Sequence, residues 1–135
     1  MILDNESLKY MNLFRKVTGV EALDCLIQDN AYFLVEEGKA GLAVGTAGRN
    51  VKKLRNLIRK RPIVLELIDD PIKFTKSLLA PIGLDGVKIE LNDKTLIIQA
   101  NSKKKGRIIG RDGSNIKMIR KLLKRHFDLE EIKVK

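Results

Sequence analysis

The residues that usually carry catalysis and metal chemistry are nearly missing from this sequence. Its 135 residues include one cysteine, one histidine, no tryptophan and three prolines, and aromatic residues make up 4%. A single Cys25 excludes an intrachain disulfide. Within Leu23-Asp24-Cys25-Leu26-Ile27 it reads as a small apolar core residue. His126 lies far from it in the chain, so neither a nucleophile–base pair nor a metal-ligand cluster can be built from the two. The acidic pairs Glu36-Glu37 and Glu130-Glu131 read as surface charge. The phosphate-loop pattern G-x-x-x-x-G-K-[ST] is absent, as is G-x-G-x-x-G after a strand, so nucleotide hydrolysis and dinucleotide binding lack their motifs. No catalytic residue, cofactor or metal is expected. Apolar runs are too short to span a bilayer. The start, Met-Ile-Leu-Asp-Asn-Glu, has neither the basic stretch nor the apolar segment of a signal peptide. A cytoplasmic protein without a membrane partner is expected.

What is plentiful is positive charge. The formal net charge is +10, a field that concentrates polyanions at the surface. Its distribution is uneven. Residues 1–35 carry three basic and five acidic side chains, whereas residues 36–70 carry eight and five. Residues 71–101 carry four and three, and residues 102–135 carry twelve and four. Such clustering is the electrostatic footprint of a nucleic-acid binder.

The chain also repeats itself. Moving residues 41–60 by 65 positions onto residues 106–125 superimposes Gly41, Gly45 and Gly48 on Gly106, Gly110 and Gly113. Asn50, Lys52, Arg55 and Leu57 then fall on Asn115, Lys117, Arg120 and Leu122, which makes seven identities in twenty positions. Upstream, Asp29-Asn30 and Asn92-Asp93 each separate two strand-like runs, Ala22–Ile27 from Ala31–Val35 and Val87–Leu91 from Thr95–Ala100. Asn and Asp suit tight turns, and the alternation of Val87, Ile89 and Leu91 with polar residues marks a half-buried strand. Each pair reads as a hairpin. In Tyr32-Phe33 one ring is expected in the core and the other at the surface.

Helical spacing precedes each hairpin, at Leu8, Met11, Phe14 and Val17 and again at Ile72, Thr75, Leu78 and Leu79. Asp70-Pro71 forms an N-cap followed by proline at the first helical position. After each hairpin come a short helix, a glycine loop, a longer helix (Asn50–Arg61 and Ser114–Phe127) and a last strand (Ile63–Ile68 and Ile132–Val134). Each unit is therefore α-β-β-α-α-β, an α+β class. Two domains, 1–69 and 70–135, are expected, nearly rigidly joined because no Ser/Gly linker separates them.

The loops sit in apolar frames, Val44-Gly45-Thr46-Ala47-Gly48-Arg49-Asn50-Val51 and Ile109-Gly110-Arg111-Asp112-Gly113-Ser114-Asn115-Ile116. Two glycines let the backbone turn sharply and admit a ligand closely. The helix that follows directs free N–H groups and its positive dipole end to the same place, which favours phosphate. Arg49, Lys52, Lys53, Lys104, Lys105, Arg107, Arg111 and Lys117 add charge. The aliphatics Ala43, Val44, Val51, Leu54, Ile108, Ile109, Ile116 and Ile119 are expected to wall a groove. Lys103-Lys104-Lys105 fits a solvated helix start as well as a binding stretch. Arg59-Lys60-Arg61 is read as closing a helix and offsetting its dipole, and His126 as ending another.

Val/Ile-Gly-x-x-Gly-x-x-Val/Ile after a β-hairpin resembles the KH-domain signature, whose loop clamps roughly four nucleotides of a single strand. The element order is similar to the type II, prokaryotic arrangement, with a three-stranded sheet in each unit. Two such units in direct succession resemble the archaeal NusA-like family. That resemblance implies binding of single-stranded RNA, nascent transcript during elongation or termination, with RNA polymerase as a further partner and a monomeric state. The RNA contacts it implies are Val44, Gly45, Thr46, Ala47, Gly48, Arg49, Val51 and Lys52 in the first unit. In the second they are Lys105, Arg107, Ile109, Gly110, Arg111, Asp112, Gly113, Ser114, Ile116 and Lys117. Two other readings stay open, a ribosomal or ribosome-biogenesis KH protein that binds rRNA and a protein-interaction adaptor with degenerate KH folds. Thr46-Ala47 carries no charge, while Arg111 is tempered by Asp112, so the second unit is expected to bind more strongly.

Overall fold

In the computed structural model, residues 3–84 and 86–135 are described. The chain divides into two compact units, Met1–Ile68 and Asp69–Lys135. The first unit runs α1 (Asn5–Thr18), β1 (Asp24–Ile27), β2 (Ala31–Glu36), α2 (Ala40–Val44), α3 (Arg49–Ile58) and β3 (Pro62–Leu67). The second runs α4 (Pro71–Leu79), β4 (Lys88–Asn92), β5 (Thr95–Gln99), α5 (Ser102–Ile109), α6 (Ser114–His126) and β6 (Glu131–Val134). Both units have the expected α-β-β-α-α-β order. Their sheets share one plan, β1-β2-β3 and β4-β5-β6. In each, the hairpin is antiparallel and the last strand runs parallel to the middle one, with Ala31 opposite Pro62 and Leu96 opposite Ile132.

Local chemistry explains the helix ends. The Asp4 carboxylate accepts from the Ser7 amide at 2.7 Å, and Gly19 at φ 75° closes α1 by donating its N–H to the Arg15 carbonyl. Asp70 caps α4 by accepting from the Ile72 and Lys73 amides, with Pro71 in the first turn. These are the residues that satisfy otherwise orphaned amides at helix starts. One cap comes from far away in sequence: Glu66 Oε2 on β3 accepts from the Ala40 amide at 3.0 Å and so holds the start of α2.

Each unit has a core of its own. In the first, Phe14 of α1 stacks on Phe33 of β2 with ring centroids 4.5 Å apart. Cys25, Val35, Ala43 and Leu54 pack in the same cluster. In the second, Phe74, Leu78, Leu96, Ile98, Ile108, Met118, Ile119 and Leu122 are buried.

Four expectations need correction. Tyr32 and Phe33 are both buried, at 6% and 0% exposure, because β2 is the middle strand and is covered from Ala31 to Val35. Leu91, expected on the buried face, is exposed near the end of its hairpin. The helix expected over Asn50–Arg61 ends at Ile58, with Arg59 in the left-handed region at φ 57°. Lys60 and Arg61 therefore lie beyond the helix, and Lys60 Nζ donates to the Gln28 carbonyl at 2.6 Å.

Candidate nucleic-acid interface

The two glycine loops have nearly the same backbone. Gly45 takes φ 81°, ψ 166°, and Gly110 takes φ 77°, ψ 177°. Ala47 and Asp112 follow at φ 54°, with ψ 28° and 25°. Gly48 and Gly113 complete the turn at φ 71° and 74°. An extended left-side glycine and two consecutive left-handed residues thus join α2 to α3 and α5 to α6. The internal bonds match as well: Gly48 N–H donates to Gly45 O at 3.0 Å, and Gly113 N–H donates to Gly110 O at 3.2 Å.

The glycines differ in their reasons. A Cβ on Gly45 would stand 2.9 Å from Asn50 Nδ2, and one on Gly110 2.8 Å from Asn115 Cγ and Nδ2. In the second unit the same asparagine donates from Nδ2 to the Arg107 carbonyl at 2.9 Å, which ties the start of α6 to the last turn of α5. The repeat in the sequence shows Asn50 and Asn115 as identities, but gives no hint that they close over the first glycine. A Cβ on Gly48 would meet nothing within 4 Å, and one on Gly113 nothing closer than 3.8 Å. The second glycine of each loop therefore faces open space, where a ligand backbone can come close.

Helices α3 and α6 start behind Gly48 and Gly113 without a side-chain cap. By contrast, α1, α4 and α5 are capped by Asp4, Asp70 and Asn101. First-turn amides without a side-chain acceptor, at the positive end of a helix dipole, attract an anion.

Charged side chains surround this feature. Thr46, Ala47, Arg49 and Lys52 are exposed in the first unit, as are Arg111, Asp112 and Lys117 in the second, while Lys105 and Ser114 are half-buried. Arg107 is also exposed, but its Nη2 donates to the Ile82 carbonyl at 2.6 Å, so it braces the turn after α4. Lys103, Lys104 and Lys105 occupy the first turn of α5, at the end of a helix that disfavours cations.

The aliphatic frame divides into two sets. Val44 and Val51 are half-buried and Ile109 is exposed, so these three present apolar surface beside the loops. Ala43, Leu54, Ile108, Ile116 and Ile119 are buried and belong to the cores instead. They lie on the inner faces of α2, α3, α5 and α6, and they hold the loop-bearing helices against the sheets. Among the described residues no group of three or more His, Cys, Asp or Glu is placed to hold a metal ion. No helix among them is long and apolar enough to cross a membrane.

Comparison with known proteins follows the same division. Residues 71–135 match the NusA-like second KH domain, and residues 10–68 match the KH domain. A probable transcription termination protein NusA of Methanocaldococcus jannaschii is 35% identical over 98% of this chain and 74% of its own length. One from Halococcus morrhuae, with the same name, is 34% identical over 98% of this chain and 96% of its own. Among solved structures, the crystal structure of APE1850 superimposes with a TM-score of 0.74 at 30% identity, covering 98% of this chain and all of that one.

Proposed function

The chain belongs to the NusA-like family of tandem KH proteins, and from that premise we propose that it binds single-stranded RNA through both glycine loops in transcription termination. The observation that carries the reading is the shared loop backbone, in which an open second glycine precedes an uncapped helix start in both units. Each loop grips sugar-phosphate with its amides, and Arg49, Lys52, Arg111 and Lys117 add charge. Bases lie against Val44 and Val51 in one unit and Ile109 in the other. The few aromatics do not count against this, since KH grooves need no aromatic platform of the RRM kind. The RNA is nascent transcript, and RNA polymerase is the further partner.

Thr46 and Arg111 are exposed and have no left-handed backbone of their own, so both accept substitution without disturbing the turn. A Thr46→Asp/Arg111→Asp variant places a carboxylate at each loop. It is expected to lose binding to a random single-stranded RNA pool by at least tenfold while its melting temperature stays unchanged. Undiminished binding would overturn the loop mechanism. Pull-down of polymerase by the wild-type chain, rather than of ribosomal subunits, tests the process it serves.

A further inference from the structure

At the far end of α3 from its glycine loop, four cations gather without a partner acid. Arg55, Asn56, Arg59, Lys60 and Arg61 line an open recess of about 390 Å³. Arg55, Arg59 and Arg61 are exposed, and no hydrogen bond or ion pair of their side chains occurs among the described residues. The segment is held in place. Lys60 Nζ donates to Gln28 O at 2.6 Å, and the Ala31 amide donates to Arg61 O at 2.9 Å, so residues 59–61 are fastened to the hairpin turn. Asp29, the acidic residue of that turn, is not among the lining residues.

Offsetting the dipole of α3 does not account for this arrangement. Arg55 already lies in the last turn. Arg59 holds the left-handed cap position at φ 57°, which glycine fills at lower cost. In the second unit the corresponding end is built otherwise. There α6 runs on to His126 and leaves through extended Phe127. The matching Arg120 donates from Nε and Nη2 to the Ile132 carbonyl at 3.3 Å each. Three guanidinium forks with free faces therefore mark the unit whose loop, Thr46-Ala47, carries no cation.

We infer that Arg55, Arg59 and Arg61 form a second phosphodiester-binding site, which takes the RNA backbone after it leaves the Gly45–Gly48 loop. Guanidinium groups bind phosphate through paired, charge-assisted hydrogen bonds. The ten residues of α3 separate loop and cluster by about 15 Å. That distance is about four or five phosphate steps of a stacked strand. With roughly four nucleotides seated on the loop, only RNA longer than about nine nucleotides spans both. The inference rests on the RNA binding proposed above.

The test compares oligoadenylates, which stack, of about five and about 20 nucleotides on the full chain, with wild type, Thr46→Asp/Arg111→Asp and Arg55→Gln/Arg59→Gly/Arg61→Gln. At roughly 0.7 per lost phosphate contact, the cluster variant should lower the log–log salt slope for the longer RNA by about 2. Its affinity for that RNA should fall at least tenfold near 0.1 M salt, while the shorter RNA binds as before. The cluster variant should keep its melting temperature, because Arg59→Gly relieves a left-handed backbone and the other two changes remove no side-chain bond among the described residues, so a loss of binding would not reflect unfolding. An unchanged slope on the longer RNA, with the loop variant still impaired, overturns the cluster and leaves the loop reading intact; a cluster that serves an acidic protein instead would give this result. Equal losses on both lengths also overturn it, because they point to a diffuse field rather than a contact. If wild type binds neither oligonucleotide, both readings fall.

Discussion

Replacing Gly110 with alanine is expected to cost much more stability than replacing Gly113, although the two look equivalent in sequence. Gly110 sits at φ 77°, ψ 177°, a region that is essentially glycine's alone, and a side chain there costs about 1–3 kcal/mol. The new methyl would also stand 2.8 Å from Asn115 Cγ and Nδ2. Either the overlap remains, at about 1–3 kcal/mol, or Asn115 moves and loses its bond to Arg107 O, worth about 1 kcal/mol. The cheaper of these two alternatives sets the cost, so the total is about 2–4 kcal/mol. Gly113 lies at φ 74°, ψ 16° with its nearest neighbour 3.8 Å away, which leaves only the left-handed backbone term of about 1–2 kcal/mol. Both tyrosines, Tyr10 and Tyr32, belong to the first unit and the chain has no tryptophan. The assay is therefore urea unfolding followed by far-UV circular dichroism, with hydrogen exchange at the α6 amides. Truncating the asparagine separates the terms. In an Asn115→Ala background the Gly110→Ala penalty should shrink by about 1–2 kcal/mol, a coupling typical of side chains in contact. Gly45→Ala should be rescued at least as well by Asn50→Ala, because the closest atom that alanine keeps there is the backbone nitrogen at 3.3 Å, whereas Asn115 Cβ stays 3.0 Å from the Gly110 methyl. Equal losses at Gly110 and Gly113, or no coupling to Asn115, would refute the reasoning.

Arg111→Asp should weaken RNA binding more than Thr46→Asp, by about one further 0.7 step in the salt slope; fluorescence anisotropy across a salt series gives the ranking, and the reverse order counts against it. Ala47→Asn should raise stability by about 0.5–1 kcal/mol, since asparagine tolerates the left-handed backbone that alanine holds at φ 54°. Thermal unfolding checks this, and no gain would mean that the loop relaxes at no cost. Arg107→Ala should lower the stability of the second unit by about 1 kcal/mol through loss of its bond to Ile82 O. The same change should weaken RNA binding less than Lys117→Ala, which a parallel binding titration decides.

Much of this was legible in the sequence where a position admits few residues. The loop glycines sit at φ values between 71° and 81°, so their repetition reported a backbone directly. Asp70-Pro71 announced a helix start for the same reason, with cap and fixed φ each naming their residue. Other features depended on contacts between distant segments and left no local mark. That Glu66 caps α2, or that Asn115 reaches back to Arg107, requires knowing which strand and helix lie side by side. The aliphatics around the loops show why pattern alone misjudged the groove. Val44 and Ala43 are neighbours in sequence, yet one is half-buried and the other fully buried, because a helix turns each residue to a different side. The end of α3 was misplaced because Arg59 adopts a conformation that sequence associates with glycine or asparagine.

Net charge is also a poorer guide to binding than the state of each cation. Residues 102–135 hold twelve basic side chains against four acidic, which favoured the second unit. Two of those cations, Arg107 and Arg120, donate their guanidinium hydrogens to carbonyls of their own unit. They keep their charge, but part of each fork is already taken, which leaves fewer of its five N–H donors for a phosphate. Residues 36–70 have the smaller excess, yet Arg55, Arg59 and Arg61 are exposed and make no such bonds among the described residues. Long-range attraction should thus come mostly from the second unit, because it scales with charge. On the proposed sites, short-range grip on the RNA backbone would be shared more evenly: the second unit would hold at its loop through Arg111, and the first at the far end of α3. Association rate and lifetime should accordingly respond to different residues, with substitutions along α5 and α6 acting on the first and the α3 cluster on the second.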